Sequence, residues 1–298
     1  MAEAEPPELS PFERAAMSLT RFTNERPVPK WLQSRFVRNV SRAWIRAGVA
    51  HRTYVDGIDW LSDFEADRGV LLASNHRSFF DMYLALLAVV EAGVPCAERL
   101  YFPVRSNFFY DHPLGLLVNF AVGGGSMYPP IFRDRSRSAL NQDALARTCR
   151  FLATPGTMVG VHPEGTRNKG GDPYDLLPAQ PGIGQIILHA KPIVVPMFIN
   201  GLGNDLLRDI RKNYHRDIRR ENPVMIVFGT PFDYSAMAAK KPRAALYKKT
   251  SDALLEEIRS LGEREKELRA RCRAGDIPDG DPGWLENRAA ARRPFSAL

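Results

Sequence analysis

The sequence predicts a mixed α/β fold: a largely buried sheet flanked by helices, preceded by an amphipathic helical segment. Three observations lead there. Short uninterrupted apolar runs alternate with longer stretches of helical period, which is the pattern of strands covered on both faces. Hydrophobic residues make up 44% of the 298 and charged residues 25%, ordinary values for a folded domain with a sizeable core. The segment Lys30 to Val49 carries arginines on one side and apolar residues on the other.

In chain order, residues 1–10 are acidic and proline-containing and predict no element. Residues 11–24 predict a helix, and Pro27 and Pro29 break the chain. From Lys30 to Val49, a spacing of about 100° per residue gathers Arg35, Arg38, Arg42 and Arg46 in one sector. Phe36, Val37, Val40 and Trp44 lie roughly opposite. Such a helix suits a bilayer interface, and equally suits the surface of the domain that follows. Gly69 to Ser74 predicts a short buried strand, Ser78 to Glu91 a helix and Arg99 to Val104 a strand. Leu114 to Ala121 and Ser138 to Ala153 predict helices, and Thr157 to His162 a second buried strand. Gly182 to Ala190 is helical, Ile193 to Ile199 a strand, and Leu206 to Arg220 a strongly basic helix. Pro223 to Phe228 is a strand and Pro242 to Cys272 a long polar helix. The tail, with Pro278, Pro282 and Pro294, predicts loose chain with a short helical piece. The organisation expected is a membrane-associating segment over 1–50, a catalytic domain over 51–272 and a loose tail over 273–298.

A net charge of +7 suggests an anionic partner. Nucleic acid fits least well, because the basic residues lack interleaved aromatics and no binding module is visible. The three cysteines, Cys96, Cys149 and Cys272, are far apart and form no Cys-x-x-Cys spacing. They indicate neither a zinc site nor a disulfide framework and fit a reducing, cytoplasmic setting. The N-terminus lacks the basic and apolar regions of a signal peptide. The longest uncharged stretch, His112 to Phe132, is interrupted by Gly123-Gly124-Gly125 and Pro129-Pro130, which argues against a spanning helix. The expected location is the inner face of a membrane, held peripherally.

Chemistry concentrates in two places. Asn75-His76-Arg77-Ser78-Phe79-Phe80-Asp81 follows a buried strand and opens a helix. A histidine with a carboxylate one helical turn away has the makings of a general base, the carboxylate fixing the tautomer and stabilising the imidazolium. Ser78 and Asp81 also fit a helix cap. Val161-His162-Pro163-Glu164-Gly165-Thr166-Arg167 follows the second buried strand, and its arginine offers a planar fork for phosphate. Glu164 and Arg167 also suit a local ion pair. Between these stretches, Gly123-Gly124-Gly125 and the arginines at 133, 135 and 137 could receive a phosphate or form an exposed basic loop. The histidines at 51, 112, 162, 189 and 215 show no metal-ligand spacing, so packing or surface roles are expected for them. Tyr128 stands where a Gly-x-Ser-x-Gly elbow needs glycine, which excludes that type of serine hydrolase.

In order and spacing, these pieces resemble the glycerolipid acyltransferases typified by 1-acylglycerol-3-phosphate acyltransferase, often called PlsC-like. Asn75 to Asp81 matches the family's Asn-His-x-x-x-x-Asp, and Pro163 to Arg167 matches Pro-Glu-Gly-Thr-Arg without substitution. Ile131 to Arg135 matches the second motif loosely, and Ile193 to Pro196 matches the fourth. The resemblance runs from Val55 to Tyr234. It implies that His76 is the base on an acceptor hydroxyl and that Asp81 orients it. It implies that Arg133 or Arg135, with Glu164, Gly165, Thr166 and Arg167, binds the acceptor's phosphate-bearing head, Glu164 holding Arg167 or a glycerol hydroxyl. The hydroxyl would attack acyl-CoA or an acyl carrier protein thioester, with no acyl-enzyme and no cofactor or metal. The implied acceptor is a lysophospholipid, 1-acylglycerol 3-phosphate first, with glycerol 3-phosphate as alternative. Partners would then be an anionic membrane surface and the acyl donor. If His76 instead activated water, the protein would be a thioesterase. The chain departs from the family at Pro178-Ala179-Gln180-Pro181-Gly182, where a lysine is common and none occurs.

Overall fold

The computed structural model describes residues 9–215 and 217–288. The expectation for residues 1–8 falls outside them. Helices α1 (Pro11–Glu25), α2 (Pro27–Phe36) and α3 (Arg42–Val49) come first, with a π turn at Val37–Ser41 joining the last two. Then follow β1 (Thr53–Asp56), a short α4 (Asp59–Ser62), β2 (Val70–Ser74) and α5 (Asp81–Glu91). Next are β3 (Arg99–Tyr101), β4 (Val104–Arg105), an irregular α6 (Ser106–Phe109), α7 (Pro113–Gly123) and β5 (Pro130–Ile131). After these come α8 (Ser138–Leu152), β6 (Thr157–Val161), α9 (Pro181–Ala190) and β7 (Ile193–Asn200). α10 (Leu206–Asn213), α11 (Ile218–Glu221), β8 (Val224–Phe228), α12 (Ser235–Ala238) and α13 (Ala244–Ala274) end the order.

Six strands form one mixed sheet in the order β1-β8-β7-β2-β6-β3. Every neighbouring pair is parallel except β7 with β8. The strands are apolar throughout because both faces are covered. Val70 and Leu72 of β2 point to one face, which packs on α5 and the amino-terminal helices. Leu71 and Ala73 point to the other, which packs on α8, α9 and α13. Helix α9 comes close to α13 because Gly184 has no side chain: a Cβ there would lie 1.9 Å from the Tyr247 carbonyl oxygen.

Four expectations change. First, β1 was not anticipated. Its four residues carry little pattern, and its partner β8 lies far along the chain. Second, the arginines between Lys30 and Val49 do not form one free basic face. The π turn inserts an extra residue and rotates everything after it off the regular wheel. Arg42 and Arg46 therefore turn inward onto the buried Glu91 carboxylate, at 2.7 and 3.2 Å. Arg38 donates to the Ala97 carbonyl, and Arg35 stacks on Trp31. Val37 is buried and Val40 exposed.

Third, the basic helix expected over Leu206 to Arg220 is two helices. Asn213 and Tyr214 both donate to the Ala47 carbonyl and tie the end of α10 to α3. The inner face of α10 is held by Asp209, which is buried and paired at 2.7 Å with the fully buried Arg52.

Fourth, the expected loose tail is ordered over its described part and closes the β1 edge. Val55 N–H donates to the Gly283 carbonyl and Leu285 N–H to the Thr53 carbonyl. Trp284 is 1% exposed, lies edge-on to Tyr54 and donates its indole N–H to the Pro278 carbonyl. An edge strand with open hydrogen-bonding groups is thereby covered. No described helix is long and apolar enough to cross a membrane.

Replacing Trp284 with alanine empties this edge. Urea unfolding should show a loss of about 3–5 kcal/mol. A loss below about 1 kcal/mol would mean that the tail is not part of the cooperative unit.

Candidate active site

β6, β2 and β7 are parallel neighbours, so their carboxyl ends open on the same side of the sheet. Such strand ends are where open α/β sheets build sites. Three loops meet there: Asn75–Phe80 after β2, His162–Arg167 after β6, and Gly201–Asn204 after β7.

Asn75 locks the first loop. Its side-chain amide donates to the Ile199 carbonyl at 2.9 Å and accepts from the Ile199 N–H at 2.8 Å. A side chain thus extends the β2–β7 ladder by one rung after the β2 backbone has turned away. His76 follows at once. Its carbonyl accepts from Asn168 N–H at 2.8 Å, and its own N–H donates to Glu164 Oε1 at 2.7 Å. The backbone of the histidine is held from both sides.

The imidazole Nδ1 lies 3.2 Å from Asp81 Oδ2. The same oxygen accepts the N–H groups of Arg77 and Ser78, both at 2.8 Å. Asp81 is 1% exposed. Because its carboxylate receives two backbone amides, Nδ1 is assigned the proton and Nε2 is left bare. The capping arrangement expected of Ser78 and Asp81 differs in detail. Helix α5 begins at Asp81 rather than Ser78, and Asp81 reaches back to the loop amides. Ser78 Oγ instead donates to the Gly203 carbonyl.

His162 was expected to have a packing or surface role. It lies face to face with His76, ring centres 3.7 Å apart and planes within 8°. Its Nδ1 is 2.9 Å from the Asn75 carbonyl and 3.2 Å from that of Ser74. The available signal was positional: His162 directly follows a buried strand, β6, that lies beside the one that Asn75 follows, β2. Asn204 was also missed. Its side-chain oxygen accepts from Arg167 Nη1 at 2.7 Å and from Phe79 N–H at 3.1 Å.

Burial sets the charge states. It lowers the His76 pKa to about 3, with the Arg167 charge adding to the effect. It also lowers His162 to about 3, with His76 adding. It raises the Asp81 carboxyl to about 6, against the pull of His162 and the two amides. At neutral pH the stack is uncharged and the carboxylate ionised.

The ion pair expected between Glu164 and Arg167 does not form. Glu164 is 1% exposed, and its second oxygen accepts from Leu177 N–H at 2.7 Å. Both oxygens hold backbone amides, and burial raises its pKa. Gly165, at φ +63°, turns the chain so that Glu164 goes inward and Arg167 toward Asn204. Thr166 is half-buried beside it. The second motif is tied to α8. Asn141 clamps the Phe132 backbone from both sides, and Arg133 is exposed. Among the described residues no hydrogen bond joins Arg133 to His76, Asp81, Glu164 or Arg167. The Arg135 backbone opens a 3-10 turn, and its side chain lies outside those described.

His76, Asp81 and His162 each place one ligand atom within 4.8 Å of the others. A metal fits them poorly. The lone pairs of imidazoles lie in the ring plane, so two parallel stacked rings aim side by side rather than at one point. The His162 Nδ1 is also engaged by carbonyl oxygens.

A His–Asp pair with its carboxylate buried, at the strand ends of an α/β sheet and beside an arginine, is an arrangement that can move a proton next to an anionic group. A family model described as Acyltransferase matches residues 50–200, and the chain belongs to that family. Human 1-acyl-sn-glycerol-3-phosphate acyltransferase beta is 28% identical over 130 residues, 44% of this chain and 41% of that protein. The chain thus matches about two fifths of the length of this relative. The crystal structure of the 1-acyl-sn-glycerophosphate (LPA) acyltransferase PlsC from Thermotoga maritima aligns over 84% of this chain and 88% of that one. That alignment has a TM-score of 0.47 and 17% identity.

Asn75→Ala removes both bonds to Ile199 and leaves two buried backbone groups unpaired. Chemical denaturation should show a loss of about 2–4 kcal/mol. A neutral substitution would mean that the loop is held by Glu164 and Asn168 alone.

Proposed function

We propose that the protein transfers a fatty acyl group from an acyl thioester, acyl-CoA or acyl carrier protein, to the hydroxyl of a lysophospholipid. The proposed acceptor is 1-acylglycerol 3-phosphate, giving phosphatidic acid. One observation carries the reading: a neutral imidazole whose Nδ1 is oriented by a buried carboxylate that two amides hold in place. The family membership and the human relative's name support the reaction class.

The steps balance without a covalent enzyme intermediate. The acceptor hydroxyl attacks the thioester carbonyl as its proton passes to His76 Nε2. Asp81 stays ionised and stabilises the imidazolium. Collapse of the tetrahedral adduct breaks the carbon–sulfur bond, and the imidazolium proton goes to the leaving thiolate. Burial keeps His76 neutral at rest, and the Asp81 carboxylate offsets the low basicity this brings once the imidazolium forms. Arg167, fixed by Asn204, supplies the fork for the acceptor's phosphate. Glu164 acts through the backbone, holding His76 to the third motif. The protein is proposed to work from the surface of an anionic membrane, where acceptor and product reside.

His76→Ala should lower kcat/KM by roughly 10²- to 10⁴-fold with folding intact. Product analysis with a labelled acyl thioester checks this, and full activity would remove His76 from the mechanism. Release of free fatty acid at the same rate without acceptor would favour the hydrolase reading. With pH, activity should fall as the medium is acidified through about 6, where Asp81 takes up its proton. Protonated Asp81 cannot stabilise an imidazolium, so the loss lies on the acid side. Asp81→Asn should lower the rate and remove that limb.

His162→Phe keeps a flat ring against His76, whereas His162→Ala does not. A positioning role for His162 predicts that the phenylalanine variant retains kcat to within about tenfold and that the alanine variant falls further. Equal loss in both would point to proton transfer by His162 itself.

A further inference from the structure

A separate cleft opens at the other end of the sheet. Its volume is about 430 Å³, and Arg26, Lys30, Trp31, Arg99, Arg150 and Phe151 contribute to its walls. Thr157, the first residue of β6, lines it, whereas the catalytic loop begins after the last residue of that strand. Four steps along a strand place the two roughly 13 Å apart. None of His76, Asp81, Glu164 and Arg167 borders the cleft.

Its charge is unusual. Lys30 is 4% exposed. Its Nζ donates to Asn24 Oδ1 at 3.1 Å, Gln33 Oε1 at 2.5 Å and the Leu100 carbonyl at 2.7 Å. It also lies 3.5 Å from the Tyr101 ring centre. Burial, with the Arg99 charge adding to it, lowers the Lys30 pKa well below the usual lysine value. All three acceptors are neutral, and no carboxylate pairs with Lys30 among the described residues. The fixed positive charge of the walls is therefore that of Arg26, Arg99 and Arg150. The cleft's two carboxylates do not cancel this. Glu25 is occupied by Arg147 and the Tyr128 hydroxyl. That leaves Glu98 against three arginines.

The rim has a different chemistry. Trp31, in the wall, is 42% exposed, and beyond the wall Val28 and Leu32 on the same helix and Phe22 on α1 are 68%, 56% and 57% exposed. An aromatic and aliphatic corner beside a cationic cleft matches a molecule with a phosphate at one end and hydrocarbon at the other. We propose that this cleft binds the phosphate headgroup of an anionic phospholipid at a site separate from the catalytic centre. The phosphate would lie between Arg26 and Arg150 above Lys30, with the acyl chains over the α1–α2 corner. The site makes no demand on the catalytic chemistry, so it stands or falls independently of the reaction proposed above.

The test uses the full chain and reads binding rather than turnover. Co-sedimentation compares phosphatidylcholine vesicles with and without phosphatidic acid. The double variant Arg26→Ala/Arg150→Ala changes exposed side chains, and circular dichroism checks that the fold is kept. It should lose about tenfold of the increment due to phosphatidic acid, with binding to pure phosphatidylcholine unchanged. The control double variant Arg208→Ala/Arg211→Ala removes equal charge from α10 and should keep the increment. Equal loss in both variants would overturn the proposal in favour of general charge attraction. Titration with dihexanoyl phosphatidic acid, read by Trp31 fluorescence against a Trp31→Phe baseline, separates the sources of phosphate. A response to the short-chain lipid supports the site, and a matching response to inorganic phosphate identifies it as a phosphate site without lipid preference. No response to either overturns it.

Discussion

The two hydrogen bonds between the Asn75 side chain and the Ile199 backbone decide where the rest of the centre lies. They hold the chain at the point where β2 ends, so His76 leaves the sheet in one direction only. Glu164 then fastens the His76 N–H to the loop after β6. Ser78 and Asn204 fasten the same stretch to the loop after β7. Three separate loops are joined through backbone groups of a single short segment. A centre built in this way needs little of its precision from the loops' own stiffness, because each loop is anchored at a strand end.

Electrostatics in the centre follow from burial. Removing Asp81 from water disfavours its charge, and two amide donors oppose that cost. Removing the two imidazoles from water disfavours their charges, and each would repel the other if both were protonated. The state that satisfies all three groups at neutral pH has one negative carboxylate and two neutral rings. That is the resting state the proposed chemistry requires. It arises from the surroundings of the groups rather than from any special property of a histidine next to an aspartate.

The amino-terminal helices show how one irregularity redistributes function. The π turn at Val37–Ser41 turns Arg42 and Arg46 onto Glu91, where they compensate a carboxylate with no exposed surface. These arginines therefore serve the attachment of α3 to the domain. The exposed apolar residues and the cationic cleft are concentrated earlier, on α1 and α2. The exposed apolar surface of this region thus lies in its first half, and the part that packs on the domain in its second.

By itself, the sequence determined the α/β class, most of the helices and strands, and the chemical identity of His76, Asp81 and Arg167. Uninterrupted apolar runs, helical periods and the two motifs are local properties, and local properties survive in a linear reading. The family resemblance followed from the same motifs, and the match over residues 50–200 agrees with it. Tertiary structure alone decided which residues became neighbours. The strand order β6-β2-β7 brings His162 onto His76, Glu164 under its backbone and Asn204 to Arg167, across 37 to 88 positions of sequence. It also turned Glu164 from an expected partner of Arg167 into a clamp, and gave the described part of the tail an edge strand to cover. These outcomes depend on pairing between distant strands and on one π turn. Neither leaves a periodic trace in the residues concerned, because the partner that fixes each side chain lies elsewhere in the chain.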